Sequence, residues 1–118
     1  MLEQIRQGDV MIIDFNPQAG HEQAGHEQAG RRPAVVISNH LMNDHFPVIM
    51  ACPITHTKRN NPFHVELVGY DFMDGYVMCD QVKTMDARSR NYRTVGRLKE
   101  DDIGTVLERV EMLIEKET

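Results

Sequence analysis

The chain has 118 residues, of which 41% are hydrophobic and 26% charged, and its formal net charge is −5. This length suits a single domain, residues 1–118, and the mixture excludes a disordered chain. No apolar run approaches the roughly 20 residues of a membrane span, and the N-terminus lacks the pattern of a secretory signal, so we expect a cytoplasmic protein.

Short apolar runs bounded by turn residues predict five or six strands. They cover residues 9–15, 34–38, 48–54, 63–67, 76–82 and 94–98. A loop or a single helical turn is expected over 39–45. Strict alternation in 63–67 predicts that His64 and Glu66 lie on the solvent face of their strand.

The last part of the chain follows a helical period. Apolar residues recur every three or four positions, at Ile103, Val106, Leu107, Val110, Leu113 and Ile114. No helix of crossover length separates the strands, which argues against a parallel sheet. The pattern therefore predicts a mainly β protein with a C-terminal helix packed against or beside the sheet, arranged as a small, partly open β-barrel.

A five-residue unit, Gly-His-Glu-Gln-Ala, occurs twice in tandem at 20–29 and runs through Gly30 into Arg31 and Arg32. A segment rich in Gly, His and Gln between two apolar runs predicts an exposed loop. Such loops on rigid scaffolds often carry binding or catalytic residues.

Charge and reactive residues limit the function classes. Acidic residues are concentrated in 99–118, whereas basic residues cluster at 31–32, 58–59 and 83–97, so a local cationic groove for phosphate is compatible with the negative total. Cys52 and Cys79 are predicted to be reduced, buried thiols. The histidines show no metal-ligand spacing, and we expect neither a metal nor another cofactor.

Several motifs in order resemble one family across essentially the whole chain. They are Gly8-Asp9-Val10, Asp14-Phe15-Asn16-Pro17, Gly25-His26-Glu27-Gln28-Ala29-Gly30 with 31–38, Cys52-Pro53-Ile54-Thr55, Asn61-Pro62-Phe63-His64-Val65 and Cys79-Asp80-Gln81-Val82-Lys83-Thr84. The chain resembles the MazF/PemK toxins.

This resemblance implies an SH3-like barrel that forms a homodimer. It also implies a sequence-specific, metal-independent endoribonuclease that cuts single-stranded RNA, leaving 2′,3′-cyclic phosphate and 5′-hydroxyl ends. The implied protein partner is a cognate antitoxin that covers the RNA groove.

The resemblance assigns the catalytic residues Arg32, Thr55 and Asp80. Arg32 is expected to clamp the phosphate, because a guanidinium is always charged, and Thr55 to bond a phosphate oxygen. Asp80 matches the general base of the PemK branch, but the arginine that accompanies it there is Met78 here. Asp80 could instead orient Arg32 or read a base edge, and a purely structural Asp-Gln pair remains an alternative.

Further residues are predicted to bind RNA: His26, Glu27, Gln28, Arg31, Thr57, Lys58, Gln81, Lys83 and Arg88. The second copy of the repeat keeps the family spacing to Arg32 and the first copy keeps the spacing from Pro17; we favour the second. For most of these residues an ordinary solvated loop is the competing explanation.

Two other functions stay open. One is a non-enzymatic, protein-binding toxin like the gyrase poisons of the CcdB type, which engage their target through a Trp-containing end; this chain has no Trp. The other is a barrel that binds RNA without cutting it, against which the low aromatic content of 6% counts.

Overall fold

The structure is a computed structural model that describes residues 4–15 and 30–118. In these residues the elements are β1 (Asp9–Asp14), β2 (Arg31–Val36), α1 (His40–Asn43), β3 (Ile49–Thr55), β4 (His64–Leu67), β5 (Gly75–Met78), β6 (Lys83–Met85), a 3-10 turn (Arg88–Arg90), β7 (Arg93–Arg97) and α2 (Glu100–Ile114). The strands form one antiparallel seven-stranded sheet in the order β4-β5-β3-β2-β1-β7, and β6 also pairs with β3. The curled sheet with its C-terminal helix confirms the predicted fold class.

The prediction of one strand over 76–82 is wrong. β5 pairs with β3 at Val77 and Ile54, and β6 pairs with β3 at Lys83 and Ala51. From the first pairing to the second, the chain runs from residue 77 to residue 83, whereas the partner position on β3 moves only from residue 54 to residue 51. A turn takes up the surplus residues, and the Gln81 N–H donates to the Met78 carbonyl at 3.1 Å. Asp80 therefore lies in a turn and not on a strand.

Both faces of the sheet are buried. Its central strands therefore carry apolar residues at successive positions and not only at alternate ones. On β1 and β2, Val10 and Val35 belong to one core cluster, while Met11 and Val36 belong to the cluster on the other face. Successive side chains of a strand point to opposite faces. A central strand covered on both faces holds the site residues at its end in a fixed position.

Helix α2 packs against β4 and closes the first of these clusters with Ile103 and Val106. Its N-terminus is tied to the β4–β5 loop, because the Tyr70 hydroxyl donates to the Asp102 carboxylate and accepts the Lys99 N–H at 2.9 Å. The apolar stripe does not remain packed to its end. Leu113 and Ile114 are 45% and 77% exposed.

Two other predictions concern the cysteines and membrane-spanning segments. Cys52 and Cys79 are free and buried, as expected for reduced thiols. Within the described ranges, no helix has the length and apolar character needed to cross a membrane.

Candidate active site

An open cleft of about 470 Å³ lies across the ends of β2, β3, β4 and β5. Strand residues Arg32, Thr55, His64 and Met78 form its walls, and loop residues Arg59, Asn61 and Gln81 complete it. The cleft thus combines two guanidinium groups and a hydroxyl, with the largely buried imidazole of His64 in its wall. This is a suitable set for contacting a phosphodiester.

Arg32 and Thr55 meet because β2 and β3 are antiparallel neighbours. Ala34 pairs with Pro53, so counting two residues outward on each strand places Arg32 opposite Thr55. Residues two apart on a strand point to the same face, and both side chains line the cleft. The fold brings together two residues that are far apart in the sequence.

The hydroxyl of Thr55 is held in a fixed direction. Thr55 is only 8% exposed, and its Oγ1 accepts the backbone N–H of Thr57 at 3.2 Å. A hydroxyl can accept and donate at the same time. The O–H of Thr55 can therefore still donate to an oxygen bound in the cleft.

Asp80 stands beside the cleft in the turn after β5. Its Oδ2 accepts from the side-chain amide of Asn61 at 3.1 Å, and its Oδ1 lies 3.6 Å from Nε2 of His64. Its side chain is 32% exposed, so the carboxylate reaches solvent. The position suits a group that accepts a proton or a hydrogen bond from a bound molecule.

The prediction that His64 faces solvent is wrong. Its side chain is only 3% exposed, whereas Glu66 on the same strand is exposed as predicted. The strand lies at the sheet edge, and the turn that carries Asp80 folds over His64. Alternation alone could not reveal this cover, because the turn comes from a segment predicted to be strand.

Asn61 is not among the predicted site residues, and the sequence marks Arg59 only as part of the basic pair 58–59. Asn61 accepts the Phe63 N–H through its Oδ1 at 2.8 Å, the local turn that Asn commonly forms. The sequence Asn-Pro-Phe carried this turn signal. Only the fold, however, shows that the amide of Asn61 also points to Asp80.

The predicted RNA-binding residues divide into groups. Gln81 lines the cleft. Arg31 is exposed and donates to the Asn91 carbonyl at 2.6 Å, which ties β2 to the loop before β7. The others do not line the cleft: Thr57, Lys58, Lys83 and Arg88. His26, Glu27 and Gln28 lie outside the described residues, as does the rest of the repeat except Gly30.

The ends of that segment are nevertheless fixed near the site. The Phe15 N–H donates to the Gly30 carbonyl at 2.8 Å, extending the pairing of β1 with β2, in which Asp14 stands opposite Arg31. Arg32 follows directly. Phe15 and Gly30, the described residues on either side of 16–29, therefore both lie close to Arg32.

Cys79 precedes Asp80 but is unsuited to nucleophilic chemistry. Burial raises the pKa of its thiol to about 12; Arg109 opposes this effect and Asp80 adds to it. Burial likewise raises the pKa of Cys52. Because the thiolate is the nucleophile, both cysteines are packing residues at neutral pH.

The sequence comparison now identifies the family. Residues 6–114 match the family described as PemK-like, MazF-like toxin of type II toxin-antitoxin system. The chain belongs to this family.

Named relatives agree with this PemK/MazF assignment. The chain is 34% identical over 107 residues to the endoribonuclease toxin MazF of Escherichia coli strain K12, covering 91% of each chain. It is similar in structure to MazF from Deinococcus radiodurans, with a TM-score of 0.83, 31% identity and coverage of 95% of this chain and 97% of that one.

A complex has also been solved for a PemK/MazF relative. The chain matches a MazE-MazF structure from Deinococcus radiodurans with a TM-score of 0.79 and 31% identity, covering 95% of this chain and 96% of that one. These matches confirm the family resemblance predicted from the motifs.

Proposed function

We propose that this protein is the toxin of a type II toxin–antitoxin pair and an endoribonuclease that cuts single-stranded mRNA. The proposal is carried by one observation, the cleft in which Arg32 and Thr55 face each other from neighbouring strands. Family membership and relatives named as endoribonucleases support it.

The cleft groups suggest a division of roles. The guanidinium of Arg32 neutralises a phosphate oxygen, and the hydroxyl of Thr55 donates to a second oxygen. Asp80 takes the proton of the RNA 2′-hydroxyl, whose oxygen then attacks the phosphorus. The bond to the 5′-oxygen breaks, and that oxygen takes a proton from solvent. The products are a 2′,3′-cyclic phosphate and a 5′-hydroxyl end.

Met78 changes how Asp80 can work. Its apolar side chain lines the cleft where the PemK branch has an arginine, so that charge is absent from this position. The positive groups that line the cleft in the described part of the chain are Arg32 and Arg59. We therefore assign the stabilisation of the transition state to Arg32.

The family also suggests the partners and the setting. We propose that the chain forms a homodimer, acts in the cytoplasm and is inhibited by a cognate antitoxin; MazE-MazF complexes from Deinococcus radiodurans support the last point. Light scattering of the purified protein tests the dimer. Recovery of growth on co-expression with a candidate MazE-like antitoxin tests the antitoxin.

The direct test of activity is incubation of the purified protein with mixed-sequence RNA in EDTA, followed by mapping of the 5′ ends. We expect discrete cuts whose new 5′ ends are labelled by polynucleotide kinase without phosphatase treatment. Intact RNA after incubation with a folded protein would contradict the proposal. Stoichiometric protection without products would indicate an RNA-binding barrel, and gyrase inhibition without cleavage would indicate a protein-binding toxin.

A further inference from the structure

His64 and Asp80 form a partly enclosed pair beside the cleft. The distance from His64 Nε2 to Asp80 Oδ1 is 3.6 Å, and the two side chains are 3% and 32% exposed. This distance is longer than a hydrogen bond. Hydrogen bonds of catalytic groups are often long before substrate binds and shorten in the complex.

The backbone holds the two residues in place. His64 stands opposite Met78 in the pairing of β4 with β5. The Cys79 N–H donates to the Phe63 carbonyl at 3.1 Å, and the His64 N–H donates to the Asn61 carbonyl at the same distance. The backbone positions of His64 and Asp80 are therefore set by these bonds, and only side-chain rotation can change the distance between the imidazole and the carboxylate.

The imidazole has an incomplete set of partners. Its Nδ1 is buried and has no hydrogen-bond partner among the described residues. A buried nitrogen without a partner is tolerated better as a lone pair than as an N–H donor, because an unpaired donor loses its hydration. This favours the tautomer with the proton on Nε2, directed at Asp80.

The carboxylate of Asp80 is consequently approached on both oxygens. Asn61 donates to Oδ2 at 3.1 Å, and the Nε2–H of His64 faces Oδ1. Asn61 is itself fixed by the Phe63 N–H. Asn61 thus fixes one oxygen of the carboxylate, and a shortened His64 contact would fix the other.

We infer that His64 is a positioning residue that orients the Asp80 carboxylate for the reaction in the cleft, and this rests on the proposed function. His64 does not touch the substrate, because its side chain is covered. It acts through Asp80 as the orienting group acts in other acid–base pairs.

The test compares His64→Leu with His64→Gln in the RNA cleavage assay. Leucine fills the space without a donor, whereas glutamine places a side-chain amide near the position of Nε2. We expect His64→Leu to lower kcat by about tenfold or more with KM within about twofold, since misplacement of a reacting group acts on the chemical step. His64→Gln should recover most of that loss.

A double-variant cycle shows whether the effect passes through Asp80. On an Asp80→Asn background, His64→Leu should cause no further loss, because coupled residues are not additive. An unchanged kcat in His64→Leu, equal losses in the leucine and glutamine variants, or additive losses in the cycle would each overturn the inference. Thermal unfolding checks that each variant folds, and His64→Met replaces the leucine variant if that one does not.

A matched control and a spectroscopic readout complete the design. His56 also pairs with an aspartate, Asp74, at 3.0 Å, but this pair is exposed and lies outside the cleft, so His56→Leu should keep activity. In ¹⁵N spectra the ring of His64 should carry its proton on Nε2; a proton on Nδ1 would contradict the inference. The spectrum needs no RNA, so it separates this inference from a failure of the wild-type protein to cut RNA.

Discussion

Arg32 on β2 and Thr55 on β3 line the same cleft, each two residues beyond the pairing of Ala34 with Pro53. The guanidinium and the hydroxyl therefore enter the cleft from two neighbouring strands of a sheet buried on both faces. Groups carried by rigid strands need little reorganisation when substrate binds. This geometry leads to specific expectations for the site and for the elements that support it.

Replacing Thr55 with Val should remove a hydroxyl that is fixed in the cleft. We expect kcat to fall by roughly 100-fold, the usual effect of losing one donor to a developing charge. Thr55→Ser keeps the hydroxyl and should keep activity within about tenfold. Single-turnover cleavage measures both. A fully active valine variant would remove Thr55 from the reaction.

Gly75→Ala should disturb the site through the backbone of Thr55. Gly75 has φ of +117°, and an added Cβ would lie 2.5 Å from the Thr55 carbonyl oxygen. A side chain is strained at such a φ, and the clash falls on backbone next to the cleft. We expect lower stability together with lower kcat, measured by urea unfolding and RNA cleavage.

Gly104→Ala is the matched control for that substitution. A Cβ at Gly104 meets no atom within 4 Å, and the residue lies inside α2. Alanine in a helix interior is favoured over glycine by about 1 kcal/mol. The variant should be slightly more stable and equally active. If both alanine variants behaved alike, the clash at Gly75 would not explain its effect.

Tyr70→Phe should loosen α2 without altering the cleft. The hydroxyl of Tyr70 bonds Asp102 and Lys99 at the start of the helix, and the variant loses both bonds. We expect a decrease of about 1–2 kcal/mol in the free energy of unfolding with kcat near the wild-type value. A large loss of kcat at full stability would link α2 to catalysis.

The buried thiols predict a loss of stability in alkali. Burial raises the pKa of Cys79 from 9.0 to about 12, so above pH 9 the unfolded chain releases the thiol proton while the native protein keeps it. The unfolded state then binds fewer protons, and the free energy of unfolding falls as pH rises, by up to about 1.4 kcal/mol per pH unit for each such thiol.

Urea unfolding between pH 7 and 10.5 measures this slope. The Cys79→Ala variant should show a shallower slope, although its stability at pH 7 is reduced by the lost packing. Burial and the bond to Asp102 also raise the pKa of Tyr70 above 10.0, so tyrosine adds to the decline at the upper end. Stability that rises with pH over this range would contradict the assignment.

Local patterns in the sequence were sufficient to predict the main strands, the C-terminal helix and the buried cysteines. The same patterns do not predict the exposure of a side chain that is covered by a segment distant in the sequence. His64 alternates correctly with Val65, yet the turn bearing Asp80 covers it. The break between β5 and β6 depends on how the chain follows β3, and no property of 76–82 alone encodes it.

The candidate site was predicted in part for a related reason. Family motifs marked Arg32, Thr55, Asp80 and Gln81, all of which lie in or beside the cleft. Arg59 from the basic pair 58–59 completes it, together with Asn61 and His64 from the Asn-Pro-Phe-His-Val motif. Only the fold shows that these residues meet at the cleft. RNA binding by Arg31 stays a prediction; its guanidinium donates to the Asn91 carbonyl.

The most direct test of the account is single-turnover cleavage of RNA in EDTA by Arg32→Ala beside Arg6→Ala. Arg6 is exposed and lines a separate cleft with Gln4 and Arg97, so its variant controls for lost positive charge. We predict that Arg6→Ala retains wild-type cleavage and that Arg32→Ala, folded to the same extent by thermal unfolding, loses at least about 100-fold in kcat. Wild-type cleavage by a folded Arg32→Ala protein would contradict the central claim that Arg32 stabilises the reacting phosphate.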